Sequence, residues 1–121
     1  MATVPLNIFV RASAALTTTY TQVYSAPTDT AGIMLTILAS NVTNNVQTVT
    51  VGVSGNGGAF TSTLPYFDIV RNFEIPPYDT ANLAISKIVL NNYDGLYAYC
   101  SGLSTVSMTV SILETLNTTL E

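Results

Sequence analysis

The 121-residue sequence predicts an all-β fold, a single antiparallel β-sandwich of about eight strands. Three observations carry that prediction. Apolar and polar residues alternate with period two along most of the chain, the pattern of extended strands with one buried face. Thr, Val, Ile and Tyr fill the segments between turns, and their branched or aromatic side chains suit a pleated, half-buried surface better than a helix. Turn residues recur at regular spacing, and no stretch carries a convincing helical period.

The first expected strand, Leu6–Arg11, alternates Leu6, Ile8 and Val10 with Asn7, Phe9 and Arg11. The second, Thr18–Tyr24, stops at the turn Ala26-Pro27-Thr28-Asp29, and the third, Ile33–Ser40, at the polar stretch from Asn41 to Asn45. In the fourth, Gln47–Val53, residues Val49, Val51 and Val53 alternate with Thr48, Thr50 and Gly52, before a break at Ser54-Gly55-Asn56-Gly57-Gly58. The fifth, Tyr66–Val70, follows Pro65, which cannot donate to a ladder and so places this segment at an edge or outside the sheets. A sixth strand, Leu83–Leu90, lies between the breaks Pro76-Pro77-Tyr78-Asp79 and Asn91-Asn92-Tyr93-Asp94-Gly95. The seventh, Leu96–Cys100, sets Tyr97 and Tyr99 on one face. In the eighth, Thr105–Glu114, residues Val106, Met108, Val110 and Ile112 alternate with Ser107, Thr109 and Ser111. Eight antiparallel strands joined by short polar turns bury their apolar faces best as two packed sheets, so the expected architecture is one jelly-roll-like sandwich over residues 1–121. Spacing leaves the strand order open.

Charge narrows the functional classes. Charged residues make up 8% of the chain against about 25% in an average soluble protein. A folded monomer of this size exposes about 6,000 Å², which three basic and seven acidic side chains cannot cover. Either Thr, Ser and Asn provide the polar surface, or neighbouring subunits cover it. The net charge of −4 argues against nucleic acid as a partner. The longest apolar run, Ile33 to Ala39 with Thr36 inside it, falls far short of the roughly 20 residues that cross a bilayer, so no membrane partner is expected. Near the N-terminus a basic n-region is lacking and Arg11 interrupts the apolar stretch, so the start reads as mature sequence. Cys100 is the only cysteine, which rules out an internal disulfide and fits a reducing compartment.

Catalytic chemistry finds no foothold. The chain contains no His, the commonest general base, triad organiser and imidazole metal ligand. Cys100, between Tyr99 and Ser101, lacks a base and reads as a small apolar strand residue. One cysteine cannot build a thiolate zinc site. The carboxylates Asp29, Asp68, Glu74, Asp79, Asp94, Glu114 and Glu121 are scattered singly, mostly in or beside turns, and no pair is set out for glycoside hydrolysis. Asp94 with Asn91 and Asn92 offers oxygen ligands in one loop, without EF-hand spacing. Gly52, Gly55, Gly57 and Gly58 lack the Lys and the following helix of a phosphate loop and read as a hairpin loop. The triplets Asn41-Val42-Thr43 and Asn117-Thr118-Thr119 match the glycosylation pattern, a weak signal in a Thr-rich chain. Seven tyrosines without tryptophan fit core and interface positions better than a sugar pocket. No enzyme, cofactor or metal is expected.

Two apolar stretches break the alternation. Phe60-Thr61-Ser62-Thr63-Leu64-Pro65-Tyr66-Phe67 and Phe73-Glu74-Ile75-Pro76-Pro77-Tyr78 read either as loops packed over the end of their own sandwich or as subunit contacts. The contact residues expected are Leu64, Pro65, Tyr66, Phe67, Phe73, Pro76, Pro77 and Tyr78, with Met1–Phe9 as an arm laid along a neighbour.

Three segments of the first half carry a resemblance: Val23-Tyr24-Ser25-Ala26-Pro27, the strand Ile33–Ala39 leading into Ser40-Asn41-Val42-Thr43, and Thr48-Val49-Thr50-Val51. The second half adds Ile75-Pro76-Pro77-Tyr78-Asp79-Thr80, Ile88-Val89-Leu90, Asp94-Gly95-Leu96-Tyr97-Ala98-Tyr99-Cys100-Ser101 and Val110-Ser111-Ile112-Leu113-Glu114. In this order the segments resemble small all-β virion proteins of tailed bacteriophages, from about Tyr20 to Glu114. The first nineteen residues have no counterpart there, and tyrosines stand where such proteins often carry Ala, Thr or Val. The resemblance implies a virion component assembled in a host cytoplasm. The role it implies is a capsid decoration or cement protein, or else a part of the neck, tail or baseplate. It also implies partners: further copies of itself, most simply a trimer, and the major capsid protein or other virion proteins. A receptor- or carbohydrate-binding module is the alternative from another class.

Overall fold

The computed structural model describes residues 7–27, 29–54, 67–84, 87–91 and 94–116. Their nine strands are β1 (Asn7–Ala15), β2 (Thr21–Ser25), β3 (Thr30–Asn41), β4 (Gln47–Ser54), β5 (Phe67–Ile75), β6 (Thr80–Asn82), β7 (Ile88–Leu90), β8 (Gly95–Cys100) and β9 (Val106–Leu116). One sheet has the order β1-β9-β3-β6, with β7 also on β3, and the other β2-β8-β4-β5. Every pairing is antiparallel.

The pairings are nested. β4 pairs with β5, β3 with β6 and β7, β2 with β8, and β1 with β9, as in one long hairpin. Folding that hairpin across itself brings β3 against β9 and β4 against β8, which closes two four-position sheets. This is a jelly roll. The expected eight strands become nine because a short strand, β6 at Thr80–Asn82, precedes the expected Leu83–Leu90, of which, among the described residues, only Ile88–Leu90 is strand, and both pieces pair with β3. Met34 of β3 faces Ile88 and Leu38 faces Asn82, so the partner chain carries more residues than β3 between the same two points. The Asn82 side chain bridges the gap, its Oδ1 accepting from the backbone N–H of Ile37 at 3.1 Å and of Ala84 at 3.1 Å.

Other boundaries move for related reasons. β1 runs on to Ala15, since Ala12 and Ala14 continue the inward alternation opposite Val110 and Met108. Asn7, Ile8 and Phe9 therefore belong to the sheet and not to an arm, while residues 1–6 lie outside the described structure. β2 is Thr21–Ser25 instead of Thr18–Tyr24, because residues 16–20 are drawn into hydrogen bonds at the sandwich end. β3 gains Thr30 to Gly32 and Asn41, and β9 is Val106–Leu116. β5 is Phe67–Ile75 where Tyr66–Val70 was expected, so Phe73 and Ile75 are strand residues rather than loop.

The core lies between the sheets. Met34, Ile37, Ala39, Met108, Val110 and Ile112 come from the first, Val49, Val51, Leu96, Ala98 and Cys100 from the second. Burying each of the larger side chains contributes about 1.5–3 kcal/mol. Bulges set which residues reach this layer. A register shift between Met34 and Thr36 lets both Met34 and Ile37 point inward from an apolar run whose phase the sequence leaves ambiguous. A second, between Gln22 and Tyr24, turns Tyr24 inward, where its hydroxyl donates to Glu114 Oε2 of the opposite sheet at 2.6 Å. Gly32 makes room for that ring, since a Cβ there would stand 2.9 Å from the Tyr24 oxygen.

Candidate interaction surface

Four connections gather at one end of the sandwich: residues 16–20, 42–46, 76–79 and 101–105. Asn41, buried at the end of β3, ties the second of them to the third. Its Nδ2 donates to the carbonyls of Asn45 (2.6 Å), Ile75 (3.0 Å) and Pro76 (3.2 Å). Its Oδ1 accepts from the Thr43 backbone N–H and the Thr43 hydroxyl. Backbone bonds add Val42 N–H to Thr105 O at 3.0 Å, Tyr78 N–H to Thr43 O at 3.1 Å and Cys100 N–H to Thr17 O at 2.8 Å. Gln47, Ser101 and Thr48 continue the network.

A base so fully bonded presents apolar groups to solvent. Tyr78 is 73% exposed and Leu103 71%, with Val42, Val46, Pro76 and Pro77 exposed beside them. Tyr78 sits at the third position of the turn Pro76–Asp79 with φ 56°, and the Asp79 N–H donates to Pro76 O at 3.2 Å. That left-handed backbone is rare for a large side chain and is held by neighbouring hydrogen bonds. Single exposed apolar residues are ordinary, but a group on adjoining, hydrogen-bonded loops is a candidate interaction surface.

Of the expected contact residues, Pro76, Pro77 and Tyr78 meet here. Phe73 and Phe67 do not join them: both lie on β5, opposite Val49 and Val53, roughly 20 Å apart along the strand and exposed at the sheet edge. Leu64, Pro65 and Tyr66 lie outside the described residues. Val42, Val46 and Leu103 were not anticipated, because each is one apolar residue inside a polar turn; only the folding together of three loops makes them neighbours. A second apolar feature crosses the outer face of the first sheet, where Phe9, Leu113, Ile33 and Val89 stand in one cross-strand row.

The outer face of the other sheet is polar and aromatic. Tyr20 stacks edge-on against Tyr99 with centroids 4.9 Å apart, and its hydroxyl donates to Asp68 Oδ1 at 2.6 Å. Asp68 Oδ2 faces Arg71 at 3.6 Å. Tyr97 is buried and donates to Gln22 Oε1 at 3.1 Å. Burial, then the bonds to Asp68 and Glu114, push the Tyr20 and Tyr24 phenols well above their ordinary value. These groups satisfy one another.

Cys100 is buried, and its thiol donates to Gly102 O at 2.8 Å. Asp94 Oδ2 accepts from the Asn91 N–H at 2.9 Å, a turn-forming bond. Among the described residues no three of His, Cys, Asp and Glu come together. The Asn41 amide, buried and fully engaged, offers no glycosylation acceptor. No protein-family model matches the chain, and a search of curated proteins finds no match.

Proposed function

We propose that this protein is a non-enzymatic structural subunit that works by docking its apolar loop end onto a larger assembly, in the manner of a virion decoration or cement protein. The observation that carries the reading is the cluster of Val42, Val46, Tyr78 and Leu103 on a hydrogen-bonded base. Scarcity of charge and the resemblance to small phage virion proteins support it. The mechanism is linkage: a protein that binds only the assembled shell stabilises each site by RT ln(1 + [L]/Kd), about 2.7 kcal/mol at a hundred times Kd. Copies in a symmetric oligomer gain further through effective concentration.

Co-sedimentation with particles tests this. Tyr78→Ser with Leu103→Ser should lower occupancy at least about tenfold, the loss of about 1.4 kcal/mol or more, while the circular dichroism spectrum stays that of the wild type. Wild-type occupancy in the double variant removes the docking surface from this end. Copy number per particle then separates a capsid role from a neck, tail or baseplate one. A carbohydrate-binding module is the second reading, favoured by the half-exposed Tyr20–Tyr99 pair beside Asp68 and Gln22. Saturable binding of the purified chain on a glycan array would support it.

A further inference from the structure

A sheet ends in backbone groups that can recruit another strand, and folded proteins blunt such edges. Three of the four edges here are blunted. β2 is five residues long with a bulge. β5 carries two register shifts, Asn72 at φ 51° and the charges Asp68, Arg71 and Glu74. β6 and β7 are three residues each, with a break between them. β1 is the exception. It pairs with β9 over nine residues without a register shift, has neither Pro nor Gly, and bears one charge, Arg11. No described strand lies on its other side.

The ladder fixes which backbone groups face outward. Leu16 N–H donates to Val106 O at 2.9 Å, continuing the register of Ala15 with Ser107. Alternation then directs the backbone of Ile8, Val10, Ala12 and Ala14 to β9, and that of Asn7, Phe9, Arg11, Ser13 and Ala15 to the open side. In an antiparallel self-pair the outward residues must meet one another. Centred on Arg11 the pair sets like charges face to face. Centred on Phe9 it shortens, and centred on Ala12 it leaves Ile8 outside. Centred on Val10 it sets Phe9, 78% exposed, across from Arg11 of the partner subunit, an aromatic face against a guanidinium. Asn7 then faces the partner's Ser13, and Ile8 faces the partner's Ala12 along the inner surface.

We propose that two copies of this chain associate through the open edge of β1, antiparallel about a two-fold axis at Val10, joining their sheets into one. The occupant is a second copy because this register of the strand with itself sets Phe9 across from Arg11 twice and keeps the two arginines from facing each other. The pairing needs nothing from the virion reading: particle attachment and association in solution are separate measurements, and either can fail alone.

Sedimentation equilibrium of the full chain should show the mass rising with concentration from 12.8 kDa toward twice that value. Ser13→Pro removes an outward N–H and keeps the ladder to β9, so it should weaken association at least about tenfold. Val10→Cys should form a disulfide-linked dimer on oxidation, since facing residues of a non-hydrogen-bonded pair lie about 4.5 Å apart at Cα, within disulfide reach. Arg11→Cys should not. Cys100 is buried and out of reach of oxidant. A mass of 12.8 kDa at every concentration, a mass of three copies, or wild-type association in Ser13→Pro overturns the proposal. Should that variant fail to fold, cross-linking of Arg11→Cys in preference to Val10→Cys overturns it instead.

Discussion

Asn41 shows how much one side chain can hold. Its amide serves the carbonyls of Asn45, Ile75 and Pro76 while its oxygen takes two donors from Thr43. Asn41→Asp keeps the shape and replaces the donors by an acceptor facing three carbonyl oxygens. The expected cost is about 3 kcal/mol or more, a fall in melting temperature of about 10 °C by calorimetry. Tyr24 predicts a pH response. Its folded phenol holds its proton above the ordinary value of 10.0, through burial first and the Glu114 bond second. Below that value both folded and unfolded phenols are protonated and stability is flat. Above it the unfolded phenol ionises first, so the stability contributed by this group is lost as pH rises. Urea titrations from pH 8 to 11 should show a decline above about pH 10 that is shallower in Tyr24→Phe. Gly32→Ala should cost about 1–3 kcal/mol by driving a methyl group into the same ring. The Tyr24–Glu114 contact was not visible in the chain order, since the two residues lie 90 apart.

Strands were far more legible than their ends. Alternation at Val49, Val51 and Val53, and again at Val106, Met108, Val110 and Ile112, marks two central strands; in β9 the alternate residues Val106 to Ile112 are fully buried, whereas in β4 Thr50 and Ser54 are buried as well as Val49 and Val51. It failed where a bulge shifts the phase, as between Met34 and Thr36, because a continuous apolar run carries no phase of its own. It also failed over Leu83–Leu90, where a single strand was expected. Just before it, at the end of β6, the Asn82 side chain accepts from the Ile37 N–H, which only the partner β3 reveals. In Asn82→Ala the amides of Ile37 and Ala84 lose that acceptor; hydrogen exchange at both should accelerate about fivefold, for a cost of about 1 kcal/mol. Asn72, at φ 51° in β5, accepts from the buried Thr50 hydroxyl at 3.4 Å, so Gly keeps the backbone and loses that acceptor, whereas Val loses it and adds about 1–2 kcal/mol of backbone strain, a difference that chemical denaturation measures.

For the whole molecule, the shortage of charge finds an outlet in the rows of Ser and Thr across the outer face of the first sheet. Ser13 bonds Thr109 there and Ser40 bonds Thr80. Apolar docking through the loop end predicts that particle binding changes little between low and high salt, in contrast with a salt-bridged contact, and salt titration of co-sedimentation measures it. By itself the sequence determined the fold class, because period-two burial and turn chemistry act over a few neighbouring residues. Tertiary structure decided the nested strand order, the phases set by bulges, and the gathering of Val42, Val46, Tyr78 and Leu103 at one end. Those depend on which distant segments pair, and the free energy of pairing belongs to both partners, so neither segment encodes it alone.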